Sequence, residues 1–245
     1  MNSNLLQNQL KHSVHFILPT LYLVATPIGN LGDISFRAVE TLKSVELIFC
    51  EDTRTSSKLL HHYGISTPTQ AYHLHNEHQR TSSILDLVEA GKTIALISDA
   101  GMPGISDPGF LLVREAQQRG ITVQVIPGAN AVLTALTVSG LPSDRFVFEG
   151  FLPPKKGRKK KVESWIEEER TVIIYESVHR ILKLLKELEE YLQSERIIAV
   201  TRELTKTFEE VIRGPIAQVK QACEEHKNLK GELVVVIGGC EYKED

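Results

Sequence analysis

Short apolar runs rich in β-branched residues alternate along the chain with stretches of three-to-four-residue periodicity, the pattern of βα units laid around parallel strands. In the first half these runs predict strands near 21–25, 45–50, 70–74, 93–98 and 121–126. Helices fill the gaps. One over 34–42 starts behind Asp33, read as its N-cap, and one over 54–63 stops at Gly64. The turn-rich stretch Gly140-Leu141-Pro142-Ser143-Asp144 interrupts the pattern, and a domain boundary is expected there. Beyond it, strands near 145–149, 171–176, 196–202, 207–213 and 232–238 alternate with helices over 158–169, 177–192 and 215–226. The gap around Glu203 to Lys206 is too short for a helical crossover, which predicts an antiparallel pairing and a mixed sheet. The expected layout is a loose extension over 1–18, an N-terminal α/β domain over 19–139, a C-terminal α/β domain over 140–240 and a tail over 241–245.

Composition narrows the class. A chain of 245 residues with 42% apolar and 24% charged positions can bury a core, which argues against disorder and against a membrane protein. Cys50, Cys223 and Cys240 are odd in number and far apart, as expected of reduced thiols in a cytosolic protein, and they lack metal-ligand spacing, so no metal is expected. The first twenty residues lack a basic start and a long apolar run, and are not read as a signal peptide. A net charge of −3 gives no general attraction to nucleic acid, so RNA binding would need a local patch. Lys155, Lys156, Arg158, Lys159, Lys160 and Lys161, broken only by Gly157, form one. The run reads equally as a solvated loop leading into a helix.

In open α/β sheets ligands sit beyond the carboxyl ends of the strands, so the loops there carry the chemistry. The first, Thr26-Pro27-Ile28-Gly29-Asn30-Leu31-Gly32-Asp33, lacks the G-x-G-x-x-G spacing of a dinucleotide loop. The third, from Ser98 to Gly109, packs three glycines and two prolines between a strand and a helix, longer than a plain connection requires. Such a loop lets a ligand approach the main chain. Pro127-Gly128-Ala129-Asn130 opens another helix. Polar clusters also finish the strands: Glu51-Asp52-Thr53-Arg54, His75-Asn76-Glu77, Tyr175-Glu176-Ser177 with His179-Arg180, and Arg202 to Lys206. Helix capping explains any one of them. Four at equivalent strand ends point to a shared polar cleft.

Taken in order, LYLVATPIGNLGDIS, CEDTRTS, HNE, SDAGMPGISDPG, PGANA, YESVHR, RELTK and GEL resemble the tetrapyrrole-methylase superfamily over residues 19–240, and within it the branch that 2′-O-methylates a cytidine of small-subunit (16S) ribosomal RNA. The resemblance implies an α/β fold of two domains, a mainly parallel N-terminal sheet with flanking helices and a mixed C-terminal sheet, with S-adenosylmethionine in the cleft between them. It also implies a homodimer acting on small-subunit RNA in the cytoplasm, away from membranes. Carried over by motif, cofactor contacts fall on Pro27, Ile28, Asp99, Ala100, Gly101, Pro103, Ile105, Pro127, Gly128, Ala129, Tyr175, Glu176 and Leu204. Asp33, Arg37, Glu51, Arg54 and Asn76 would face RNA together with the basic run. Candidates to orient or deprotonate the ribose hydroxyl are Asp52, His75, Glu77 and Lys206, unranked. Met102 stands where the family shows Thr and Gly104 where it shows a larger apolar residue, which implies a looser loop and weaker cofactor use. Two other readings stay open: a methyltransferase for a corrin or porphyrin precursor, and a non-catalytic cofactor-binding RNA assembly factor.

Overall fold

The computed structural model describes residues 20–244, so the extension expected over 1–18 lies outside the described residues. Strands β1 (Thr20–Val24), β2 (Leu47–Cys50), β3 (Thr69–Ala71), β4 (Ile94–Ile97) and β5 (Thr122–Ile126) form one sheet in the order β3-β2-β4-β1-β5, every pairing parallel. Four consecutive buried residues in β4 and the nearly continuous burial of β1 mark strands covered on both faces, as a parallel sheet requires. Helices α1 (Phe36–Ser44), α2 (Thr53–His62), α3 (Glu77–Glu89) and α4 (Phe110–Gln118) are interleaved with these strands. Cores around Leu21, Phe49 and Leu96 on one face, and around Val24, Ile48 and Ile97 on the other, hold the layers together.

One cap differs from expectation. Asp33 ends a single 3₁₀ turn, Leu31–Asp33, and Ser35 caps α1, its Oγ accepting from the Ala38 N–H at 3.1 Å. Ser35 has the extended φ/ψ an N-cap needs and the hydroxyl to fill it. At α2 the cap is Asp52, which accepts from the Arg54 N–H at 2.8 Å.

The second sheet runs β6-β7-β10-β8-β9, from β6 (Phe146–Phe151), β7 (Thr171–Ser177), β8 (Ile197–Arg202), β9 (Glu210–Pro215) and β10 (Glu232–Ile237). Only β6 and β7 are parallel; the other pairings are antiparallel, including the close pair β8/β9, so the sheet is mixed. Helices α6 (Arg158–Glu163), α7 (Ile181–Tyr191) and α8 (Ile216–Glu225) cover one face, and α6 ends six residues short of its predicted limit. Helix α5 (Ala131–Ser139) precedes the Gly140 turn yet packs on the other face, Val132, Ala135 and Leu136 meeting Ile173, Ala199 and Val236. The two sheets are thereby fastened by a shared apolar core. Among the described residues no helix is long and apolar enough to cross a membrane.

Candidate active site

The C-terminal ends of the first sheet are tied to one another before they meet the second. Thr26 and Gly101 exchange main-chain hydrogen bonds at 2.9 and 3.0 Å, Thr26 Oγ1 donates to the Ser98 carbonyl at 3.1 Å, and Ser98 Oγ donates to the Gly101 carbonyl at 3.1 Å. The Asp52 N–H donates to Asp99 Oδ1 at 3.1 Å, adding the β2 end. Within the 98–109 loop, Gly104 N–H reaches the Pro108 carbonyl at 3.1 Å. At Gly109, φ is +139°, and a Cβ there would stand 3.1 Å from Gly104 N, so the return of the loop depends on glycine. Gly104 itself has φ +83°. Closed in this way the loop is not slack, contrary to what Gly104 suggested.

Across the cleft the second lobe comes very near. A Cβ on Gly29 would lie 2.5 Å from Lys206 Cγ and 3.0 Å from the Leu204 carbonyl, so the first loop rests directly on the β8–β9 turn. Between the lobes lies a cavity of about 360 Å³. Ile28, Met102, Ile105, Phe151, Leu204 and Val234 supply an apolar lining, and Tyr175 packs edge-on against Phe148 and tilted against Phe151, at 5.1 and 5.3 Å between ring centres. Its size and apolar walls suit a small organic molecule. Three non-glycine residues take left-handed φ here: Ser106 (+65°), which lines the cavity, and Glu203 (+50°) and Thr205 (+65°), which flank the lining residue Leu204. Each costs about 1–2 kcal/mol, a strain that clusters where loops are held for function.

Charge is distributed unevenly around this cavity. Buried Glu176 is met by Arg158 Nη1 at 3.3 Å and Arg180 Nε at 2.8 Å, while Arg158 Nε reaches Glu187 at 2.6 Å. Lys206 bridges Glu203 and Glu232 at 2.9 Å each. On the opposite side Asp107 lines the cavity with Glu51 and Asp99 behind it, and none of the three has a lysine or arginine partner among the described residues. Burial raises the pKa of all three; Asp99 adds to the shift of Glu51 and Asp52 to that of Asp99, while Asp107, facing Glu51 and Asp99, is pushed up to about 7. Tyr175 is driven to about 12 by burial and by the charges of Asp107 and Glu232, so it remains a phenol.

Comparison with known proteins decides the family. The family model for tetrapyrrole (corrin/porphyrin) methylases matches residues 20–220. The chain belongs to that methylase family. A ribosomal RNA small subunit methyltransferase I of Pasteurella multocida is 52% identical to this methylase over 221 residues, covering 89% of this chain and 79% of that protein. The Haemophilus influenzae protein of the same description is 51% identical over 89% of this chain and 78% of its own. Among solved structures, a uroporphyrin-III-C-methyltransferase from Thermus thermophilus shares 17% identity with a TM-score of 0.64, over 91% of this chain and 95% of that one. Diphthine synthase shares 11% with a TM-score of 0.68, over 89% of each. At such identities these structures establish the fold, two α/β halves with a parallel and a mixed sheet.

In this methylase the expected residues do not all converge. Ile28, Ala100, Gly101, Ile105, Tyr175, Glu176 and Leu204 line the cavity, whereas Pro27, Asp99, Pro103, Pro127, Gly128 and Ala129 stand behind it. None of Asp52, His75, Glu77 and Lys206 lines it. Asp52 is held by Arg54, Nη2 to Oδ2 at 2.6 Å, which lowers its pKa to about 2 and leaves it a feeble base. Burial opposes the charge on Lys206, but Glu203 and Glu232 outweigh it, so the ammonium keeps its proton. His75 is exposed beside His73, and Glu77 opens α3 behind Asn76, which joins His73 N–H to its own Oδ1 at 2.9 Å. Asp33, Arg37 and Arg54 are exposed, and Glu51 is half-buried.

Arg158 requires a correction. It does not face outward with its lysine neighbours: only 3% of it is exposed, because its guanidinium neutralises Glu176 and Glu187 inside the second lobe. Lys161 pairs with Glu149 at 2.6 Å and Lys159 lies over the Tyr191 ring at 5.1 Å and near Glu163 at 3.7 Å. Lys155, Lys156 and Lys160 stay exposed, with no carboxylate partner among the described residues. Residues that the sequence reading passed over also line the cavity: Ser106, Asp107, Asn130, Phe151 and the β10 start from Gly231 to Val234. Asp107 had a signal in the strained S-D-P-G turn. The GEL motif marked the start of β10 without assigning it a contact, and Phe151 reaches the cleft only through the packing of the second sheet, which local pattern does not encode.

Proposed function

We propose that the protein transfers a methyl group from S-adenosylmethionine to a cytidine 2′-hydroxyl in small-subunit (16S) ribosomal RNA. The relatives described as ribosomal RNA small subunit methyltransferase I, at about half identity over most of both chains, support the reaction class and the substrate. The observation that carries the cofactor is the charge of the cleft. A sulfonium donor is a cation with an apolar body, and the cavity pairs apolar walls with a carboxylate, Asp107, that has no lysine or arginine partner among the described residues. The fit extends to Gly101, Tyr175 and Leu204, which would hold the donor between the lobes, with Asp99 and the Pro127-Gly128-Ala129 turn supporting them from behind.

When bound, the donor supplies an electrophilic methyl carbon. The chain's contribution is to exclude water, align the acceptor oxygen and receive a proton. Lys155, Lys156 and Lys160 would meet phosphates, giving affinity that falls with salt. We read the protein as a cytoplasmic homodimer; exposed Val125 on edge strand β5, with Leu133 and Val138 on α5, gives apolar surface for a second copy. Labelled methyl transfer to small subunits lacking the modification tests the reading as a whole. Label in one ribose-methylated cytidine is the expected outcome; label in a uroporphyrinogen-type acid and none in the RNA would overturn it.

A further inference from the structure

Methylating a ribose hydroxyl leaves a proton to be removed, and the cavity wall offers few groups able to take it. Of the ionisable side chains lining the cavity, Glu176 is neutralised by Arg158 and Arg180, Glu232 by Lys206, and Tyr175 holds its own proton. Asp107 alone is left. It sits in the loop behind β4, half-buried, with strained Ser106 before it and Pro108 and Gly109 after it. The same loop touches the second lobe, since a Cβ on Gly150 would come within 3.4 Å of Ser106 Oγ. The loop thus lies between the two halves, and Asp107 has no lysine or arginine partner among the described residues.

We propose that Asp107 is the general base of the reaction, accepting the proton that the 2′-hydroxyl loses as its oxygen bonds the methyl carbon and the carbon–sulfur electron pair returns to sulfur. This rests on the function proposed above. The balance of charge favours it: a carboxylate and a cation become a neutral acid, a neutral ether and a neutral thioether centre, so an apolar cleft assists the step. The acid then gives its proton to solvent. Groups facing Asp107 are Glu51 from the end of β2, Ser98 and Asp99 from the end of β4, and Tyr175 from β7. Both carboxylates raise its affinity for a proton and the Ser98 hydroxyl lowers it, leaving a base whose strength matches neutral pH.

The test is Asp107→Asn in single turnover, with donor and RNA affinities measured alongside. A loss of about 10²–10⁴-fold in the methyl-transfer rate at saturating donor is expected, with RNA affinity kept within a few-fold and donor affinity weakened, since the same carboxylate faces the donor's charge. A rate at saturating donor within tenfold of the unmodified chain, whatever becomes of donor affinity, would overturn the proposal. A second readout needs no turnover. Asp107 binds its proton more tightly folded than unfolded, so it lowers ligand-free stability as pH rises from about 4 to about 7. The asparagine variant should lose that component of the melting-temperature profile; identical profiles would count against a titrating Asp107. If the unmodified chain binds the donor but methylates no RNA, the function proposed above fails and takes this inference with it. RNA methylation undiminished by the substitution defeats the inference alone.

Discussion

The two walls of the cleft handle charge in opposite ways. On the second lobe every cavity carboxylate has a cation at hand, Glu176 between Arg158 and Arg180 and Glu232 on Lys206. On the first lobe Asp107 lines the cavity with Glu51 and Asp99 behind it; burial raises all three, and no lysine or arginine pairs with them among the described residues. A paired carboxylate is an internal strut, whereas an unpaired one in a half-buried site costs stability unless something else supplies the charge. The second lobe is thus a wall of paired charges, and under the function proposed above the first is the face that would meet a cation.

Breaking a strut gives the largest effect. Arg158→Met leaves Glu176 buried with one cation and Glu187 with a weaker one, and should cost about 3–5 kcal/mol in urea unfolding. Adding Glu176→Gln should recover part of the loss, because the stranded charge goes with it. A cost below about 1 kcal/mol, the range of exposed pairs, would mean that the second wall is not built on this network.

Exposed cations next to the strut sharpen the contrast. Replacing Lys155, Lys156 and Lys160 together by alanine should leave the melting temperature almost unchanged, since none has a carboxylate partner among the described residues. Binding to the small-subunit RNA should weaken. The slope of log affinity against log salt should fall by about 2–3, at roughly 0.7–0.9 per phosphate contact. An unchanged slope would leave these lysines as a solvated face.

These outcomes also bear on what the sequence made legible. The parallel sheet could be read from apolar runs such as Ile94–Ile97, since burial on both faces leaves a local signature. The mixed sheet followed from the short Glu203–Lys206 gap. Cavity loops were recognisable because glycine, proline and small polar residues gather in them. Facing direction was not: Arg158 lies in a run of cations, and only the packing of α6 against α7 turns it inward. Gly29 was equally opaque, because its value lies in the 2.5 Å approach of Lys206, some 177 residues away in the chain. The proton acceptor was sought among strand-end polar clusters, while the unpaired cavity carboxylate sits inside the loop whose glycines drew attention first.

The finest effect tests the first wall directly. S-adenosylmethionine carries one net positive charge near neutral pH, and a cation placed by Asp107 lowers its pKa, so binding should expel protons. With a pKa of about 7 the group is half protonated at pH 7, which limits its release to about half a proton per site. Calorimetry in two buffers of different ionisation enthalpy measures that fraction as a difference in apparent heat. S-adenosylhomocysteine lacks the sulfonium charge and should release less, and Asp107→Asn should abolish most of the difference between the two ligands. Equal heats in both buffers would mean that the donor's charge is met elsewhere, and the asymmetry between the walls would then have no part in holding it.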